Sequence, residues 1–195
     1  KSRSRGLGDV YKRQIQEHIE NIYDIKIDVE AADFLIGLDE LQELIPAHQS
    51  TYVPREVFLV NPDPQNDTLE VALFFDQNLT TNLANNCPLE SLNEQNVSDF
   101  CSLIEGVSHF VYYLHKAKNE QNVSQLELEL QAEIDKYVLL SVFVQAKGHE
   151  RQEILEMLFE NYSLMDELTS EQIERYDTAS EMAKKFCFKL SQNYS

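Results

Sequence analysis

EVFLVNPDPQNDTLEVALFFD, residues 56–76, decides the fold class. Its two ends are rich in Val, Leu and Phe. The segment NPDPQNDT between them carries two prolines with Asn and Asp at turn positions. Runs of that composition, so punctuated, read as two antiparallel strands, 56–60 and 69–76, joined by a hairpin loop. Just upstream, residues 32–36 form a short apolar run closed by Gly37, which adds a brief strand. Residues 39–45 make a helical turn or two before Pro46, and 47–54 are a loop. Ile15, Ile19 and Ile22 share one helical face and predict a helix that ends near Tyr23 or Asp24.

Downstream of the hairpin, alternation gives way to helical periodicity. Residues 79–84 suggest a short helix, and Pro88 opens an irregular link. From 98 to 118, Phe100, Leu103, Ile104, Val107, Val111 and Leu114 recur at spacings of three and four, the stripe of a one-sided helix. After a polar turn at 119–123, Ser124 and Glu127 have the spacing of a capping box. The helix they open runs into YVLLSVFV (137–144), apolar nearly all round, so it should be central, with Gly148 beyond its end. Residues 150–162 supply another helix. Thr169 with Gln172 caps a last one, whose stripe is Ile173, Tyr176, Ala179, Ala183, Phe186 and Leu190. The expected fold class is α+β: a small antiparallel sheet of two or three strands packed with a C-terminal cluster of four or five helices.

The chain has 195 residues, 16 Lys plus Arg against 34 Asp plus Glu, and a formal charge of −18. With 43% hydrophobic residues it can bury a core, and no apolar run is long enough to cross a membrane. The carboxylate excess repels nucleic acid and anionic membranes and attracts a basic protein partner. DVYKRQ, residues 9–14, is the in-frame translation of a transposon adapter end. Residues 1–14 are therefore expected to be a non-native, disordered leader, and 15–195 one α+β domain, with 15–86 as helix plus sheet and 96–192 as the helical cluster. Without the leader, 11 bases and 33 acids leave a charge of −22. Cys87, Cys101 and Cys187 are odd in number and lack CxxC spacing. A reducing, cytoplasmic setting is expected, with Cys101 and Cys187 as small buried hydrophobes.

Glu133 carries the most chemical interest. On the wheel of its helix it falls in the apolar stripe, within about 40° of Leu126 and Tyr137, and Glu129 lies at the stripe's edge. A buried carboxylate needs a cation or hydrogen bonds. If the turn centres on Gln121, His109 and Glu133 stand at equal height on facing helices, and Glu105 is one turn from His109. Glu105, His109, Glu129 and Glu133 then have the residue types of a carboxylate-rich metal site, with Glu133 and His109 as catalytic candidates. Against this, Glu105 and His109 lie about 140–180° from the helix's main apolar stripe, as an ordinary surface pair would. Either that face is solvated or it packs against something else.

His18, His48, His115 and His149 lack metal-ligand spacing. No GxxxxGK[ST], GxGxxG or GxSxG occurs. The Asn-x-Ser/Thr triplets at Asn96 and Asn122 fall at helix starts and read as caps rather than glycosylation sites. Two functions remain. The first is a non-enzymatic acidic module, an adaptor, chaperone-like or inhibitor-like partner of a basic protein, with no cofactor. The alternative is a hydrolase in which His109 and at least two of Glu105, Glu129 and Glu133 bind a divalent metal (zinc, manganese or iron), with a spare carboxylate activating water.

Overall fold

The computed structural model describes residues 7–45, 54–63, 65–66, 68–145, 151–160 and 169–193. Strands β1 (Glu56–Asp63) and β2 (Thr68–Phe75) pair antiparallel in unbroken register, from Glu56 opposite Phe75 to Asp63 opposite Thr68. The strand expected to stop at residue 60 runs on through Pro62, which a two-stranded ribbon with open edges tolerates. The Asp63 carboxylate then accepts from the backbone amides of Gln65 (2.9 Å) and Asn66 (3.3 Å) and from the Asn66 side chain (2.7 Å). The Asn66 side chain and the Gln65 amide hold its carboxyl below the ordinary value. Pairing places Glu56, Phe58, Leu73 and Phe75 on one face of the ribbon.

The chain forms two compact units, Lys1–Val111 and Tyr112–Ser195. The division falls inside a helix rather than at residues 86–96, because the front of that helix packs with the hairpin.

In the first unit, helix α1 (Leu7–Tyr23) begins within the segment expected to be disordered. Residues 7–14 are helical, a correction whose cause is amphipathicity: Tyr11 continues the buried face of Ile15 and Ile19, and Lys12 is buried with its ammonium 5.5 Å from the Phe75 ring centroid. Arg13 also pairs with Glu30. Residues 1–6 lie outside the described residues. Asp24, at φ 49°, takes the left-handed conformation that ends α1. Buried Gln16 ties α1 to the next segment, donating to the Val29 carbonyl (2.8 Å) and accepting from the Ala31 amide (2.8 Å).

The brief strand expected at 32–36 is instead a 3-10 turn, Ala31–Phe34, followed by a single parallel bridge from Leu35 to Leu73. Only one ladder bond forms, Ile36 N–H to the Leu73 carbonyl, before Gly37 leads into α2 (Leu38–Leu44). Pro46 and residues 47–53 lie outside the described residues, as do Gly148 and His149. Helix α3 (Gln77–Asn85) starts where the Asp76 side chain accepts from the Asn78 amide (2.8 Å). Asn96, fully buried ahead of α4 (Val97–Lys118), does not cap it with its side chain. It holds the preceding link closed, accepting from the Asn93 amide and donating to the carbonyls of Asn86 and Ser91. The core here includes Ile15, Leu73, Leu79, Leu83, Phe100, Leu103, Ile104, Val107 and Phe110.

The second unit contains the end of α4 with α5 (Gln125–Gln145), α6 (Arg151–Phe159) and α7 (Ser170–Asn193). Both capping boxes are present. The Ser124 amide donates to the Glu127 carboxylate (2.8 Å) and the Glu127 amide to the Ser124 hydroxyl (3.2 Å). The Ser124 amide and the Ser124 hydroxyl, which donates to the same carboxylate (2.7 Å), hold the Glu127 carboxyl below its ordinary value. Thr169 and Gln172 repeat the exchange ahead of α7. Helix α7 packs on α5 through Ala179, Ala183 and Cys187, all fully buried, whose small side chains allow close approach. Tyr137, Leu139, Leu140, Ile154 and Leu155 complete this core. Two strands and seven α-helices among the described residues make the α+β fold, with four helices after residue 96.

None of the three cysteines is in a disulfide. Burial, with smaller contributions from the charges of Glu133 and Asp135, pushes the Cys187 thiol up to about 12. Iodoacetamide at pH 8 should therefore leave Cys187 unlabelled in folded protein and modify it in urea, as peptide mass spectrometry would show. Labelling of native protein at Cys187 would contradict its burial. Cys101, expected to be buried, is half-exposed. No described helix is long and apolar enough to cross a membrane.

Candidate metal centre

Glu105 and His109 are separated by four residues on α4, so their side chains share one face. The sequence places that face opposite the helix's main apolar stripe. The structure turns it to the hairpin, where the Phe110 ring lies 6.4 Å from Phe58 and 5.2 Å from Phe34. Helix α4 comes close because Gly106 sits at the contact. A Cβ there would lie 2.8 Å from the Glu56 carboxylate and 2.8 Å from the Phe75 ring.

That approach brings in a residue the sequence reading missed. Glu56, the first residue of β1, joins Glu105 and His109, and one ligand atom from each lies within 4.8 Å of the others. His109 is buried and the two glutamates are half-buried. A signal for Glu56 existed: alternation along β1 puts it on the same face as Phe58, so the strand aims a carboxylate inward. Two carboxylates this close, partly shielded from water, repel each other unless a positive charge lies between them. An imidazolium or a bound cation would supply it. Imidazole nitrogen with carboxylate oxygen suits zinc, manganese or iron, whereas calcium and magnesium favour all-oxygen shells.

Glu129 and Glu133 belong to the second unit and have partners there. The Glu129 carboxylate is 3.8 Å from the Arg175 guanidinium, which also donates to Gln125 (2.6 Å). Glu133 is 8% exposed, and its carboxylate accepts from Lys136 Nζ at 2.6 Å, one turn along the same helix. Asp135, buried beside it in sequence, accepts from Gln131 (2.9 Å). Of the four residues the sequence groups as metal ligands, the structure thus brings together Glu105 and His109, with Glu56 as the third member. Glu133 has a lysine for its cation.

Of the remaining histidines, His18 donates from Nδ1 to the Gln14 carbonyl (2.7 Å), and His115 lies in the last turn of α4. No family model matches the chain, and no match was found among curated proteins or solved structures.

Proposed function

We propose that the protein binds one divalent transition-metal ion through Glu56, Glu105 and His109 and uses it for metal-assisted hydrolysis. The observation that carries this reading is the convergence of one imidazole and two carboxylates, from a strand and a helix, within 4.8 Å. Two carboxylates neutralise a divalent ion. Three protein ligands leave a position for water, whose pKa zinc can lower to about 7. Half-exposure of Glu56 and Glu105 gives that position a route to solvent.

The test starts from metal-stripped protein. Zinc or manganese should bind at one ion per chain and raise the melting temperature, by the equivalent of about 2.7 kcal/mol at a hundred times Kd. E56Q, E105Q and H109Q should each weaken binding by at least ~10-fold. Acid should weaken it too, because the ligands must be deprotonated. Metal-dependent hydrolysis of an activated ester, lost in H109Q, is the readout for catalysis. Destabilisation by H109Q with no metal uptake and no thermal shift would reduce the trio to an ion-paired cluster and overturn the proposal.

A further inference from the structure

The three candidate ligands come from two elements that lie far apart along the chain. Glu56 opens β1, whereas Glu105 and His109 sit near the middle of α4. One ligand atom of each lies within 4.8 Å of the others only while the β1–β2 ribbon is seated on that helix. The ribbon has little support of its own, because two strands alone are marginal in water. Among the described residues the outer edge of β1 pairs with no strand, and that of β2 receives the single bridge from Leu35. Two other ties to α4 flank the centre. Arg55, just ahead of β1, donates to the Ser98 hydroxyl (2.8 Å) and pairs with Asp99 in the first turn of the helix. Its side chain is 42% exposed, so water competes for that tie. At the other end the Phe58 ring meets Phe110 edge-on. Between them, two carboxylates with no cation to share oppose the seating, and an ion held by both favours it.

We infer that metal occupancy of the centre sets how firmly the β1–β2 ribbon is seated on α4, which makes the ribbon a metal-responsive element of the fold. The inference rests on the metal-binding reading proposed above and adds regulation to it. A ligand shifts a conformational equilibrium by its difference in affinity for the two states. With the ribbon seated, the ion has three protein ligands. With the ribbon lifted, it keeps Glu105 and His109 and loses one of its two neutralising charges. Release of the metal therefore loosens the ribbon and uncovers Phe58, Leu73 and Phe75, which share the face that carries Glu56.

Hydrogen exchange of the whole chain, metal-stripped and then loaded with zinc, is the test. At zinc a hundred times Kd, the inter-strand amides of β1 and β2 should exchange more slowly, by up to about 100-fold. Amides of α5 and α7, which belong to the other compact unit, should change far less. In E56Q, which still offers Glu105 and His109 to the ion, the ribbon should exchange at the same rate with and without saturating zinc. Zinc bound at one ion per chain with ribbon exchange unchanged would overturn the inference and leave the metal-binding reading standing. Equal slowing in the ribbon, α5 and α7 would mean uniform stabilisation and also overturn it. So would ribbon protection that survives in E56Q. Absence of any zinc uptake would remove the inference and the metal-binding reading together.

Discussion

Replacement of Lys136 by methionine should destabilise the protein by about 3–5 kcal/mol, because it leaves the Glu133 carboxylate in place without its cation. The side chains of the pair are only 9% and 10% exposed and meet at 2.6 Å. Water therefore cannot take over the role of the ammonium. For a chain of this length the loss corresponds to a fall in melting temperature of roughly 10 °C. The double variant E133Q/K136M should recover most of it, since a neutral amide needs hydrogen bonds rather than a counter-charge. Thermal melts of the three proteins check the cycle. Should K136M melt with the wild type, the buried ion pair would contribute nothing to stability.

Replacement of Gly106 by alanine should also destabilise, against the usual sign. In an ordinary helix interior alanine is better than glycine by about 1 kcal/mol. Here the added methyl meets the Glu56 carboxylate and two carbons of the Phe75 ring at 2.8 Å. Either α4 moves off the hairpin or both side chains are displaced, for a net loss of about 1–3 kcal/mol. The E56A/G106A double variant removes one of the two clashes and should be less affected by the methyl than the wild-type background is. The displaced carboxylate is also a proposed ligand, so G106A should weaken zinc binding while leaving His109 and Glu105 intact. Denaturation and metal titration of the same samples check both effects. An alanine variant as stable as the wild type would show that the hairpin gives way without cost.

Much of the fold was legible in the sequence because its signals are local. The hairpin follows from two apolar runs around a Pro- and Asp-rich turn, and α4 from a stripe of spacing three and four. Both capping boxes follow from a hydroxyl and a carboxylate or amide three residues apart. What escaped was non-local. Whether residues 32–36 would be a strand depended on how many bonds β2 could offer, and Leu73 offers one carbonyl. Residues 9–14 match a translated adapter end, yet Tyr11 extends a helical face and the helix follows it.

The candidate centre was half visible. The i,i+4 pair Glu105 and His109 was apparent, as was the inward placement of Glu133. Their partners were not, because helical height alone does not say which face turns toward which neighbour. Glu56 stands at the start of a strand, and strand alternation gives its direction but not the helix it meets. The lysine one turn from Glu133 was the simpler cation throughout.

The spacing of Glu56 from its two companions on α4 also has a consequence for synthesis. The hairpin is contiguous and can close as soon as it leaves the ribosome, whereas α4 is complete only 43 residues after β2 ends, a delay of roughly 2–9 s at ordinary elongation rates. During that interval VFLV and VALFF are paired but not yet covered by α4, a condition in which nascent ribbons adhere to one another. A charged glutamate at the mouth of the first strand discourages such pairing until the helix arrives. One carboxylate would thus act as a gatekeeper while the chain is being made and as a ligand once it is complete.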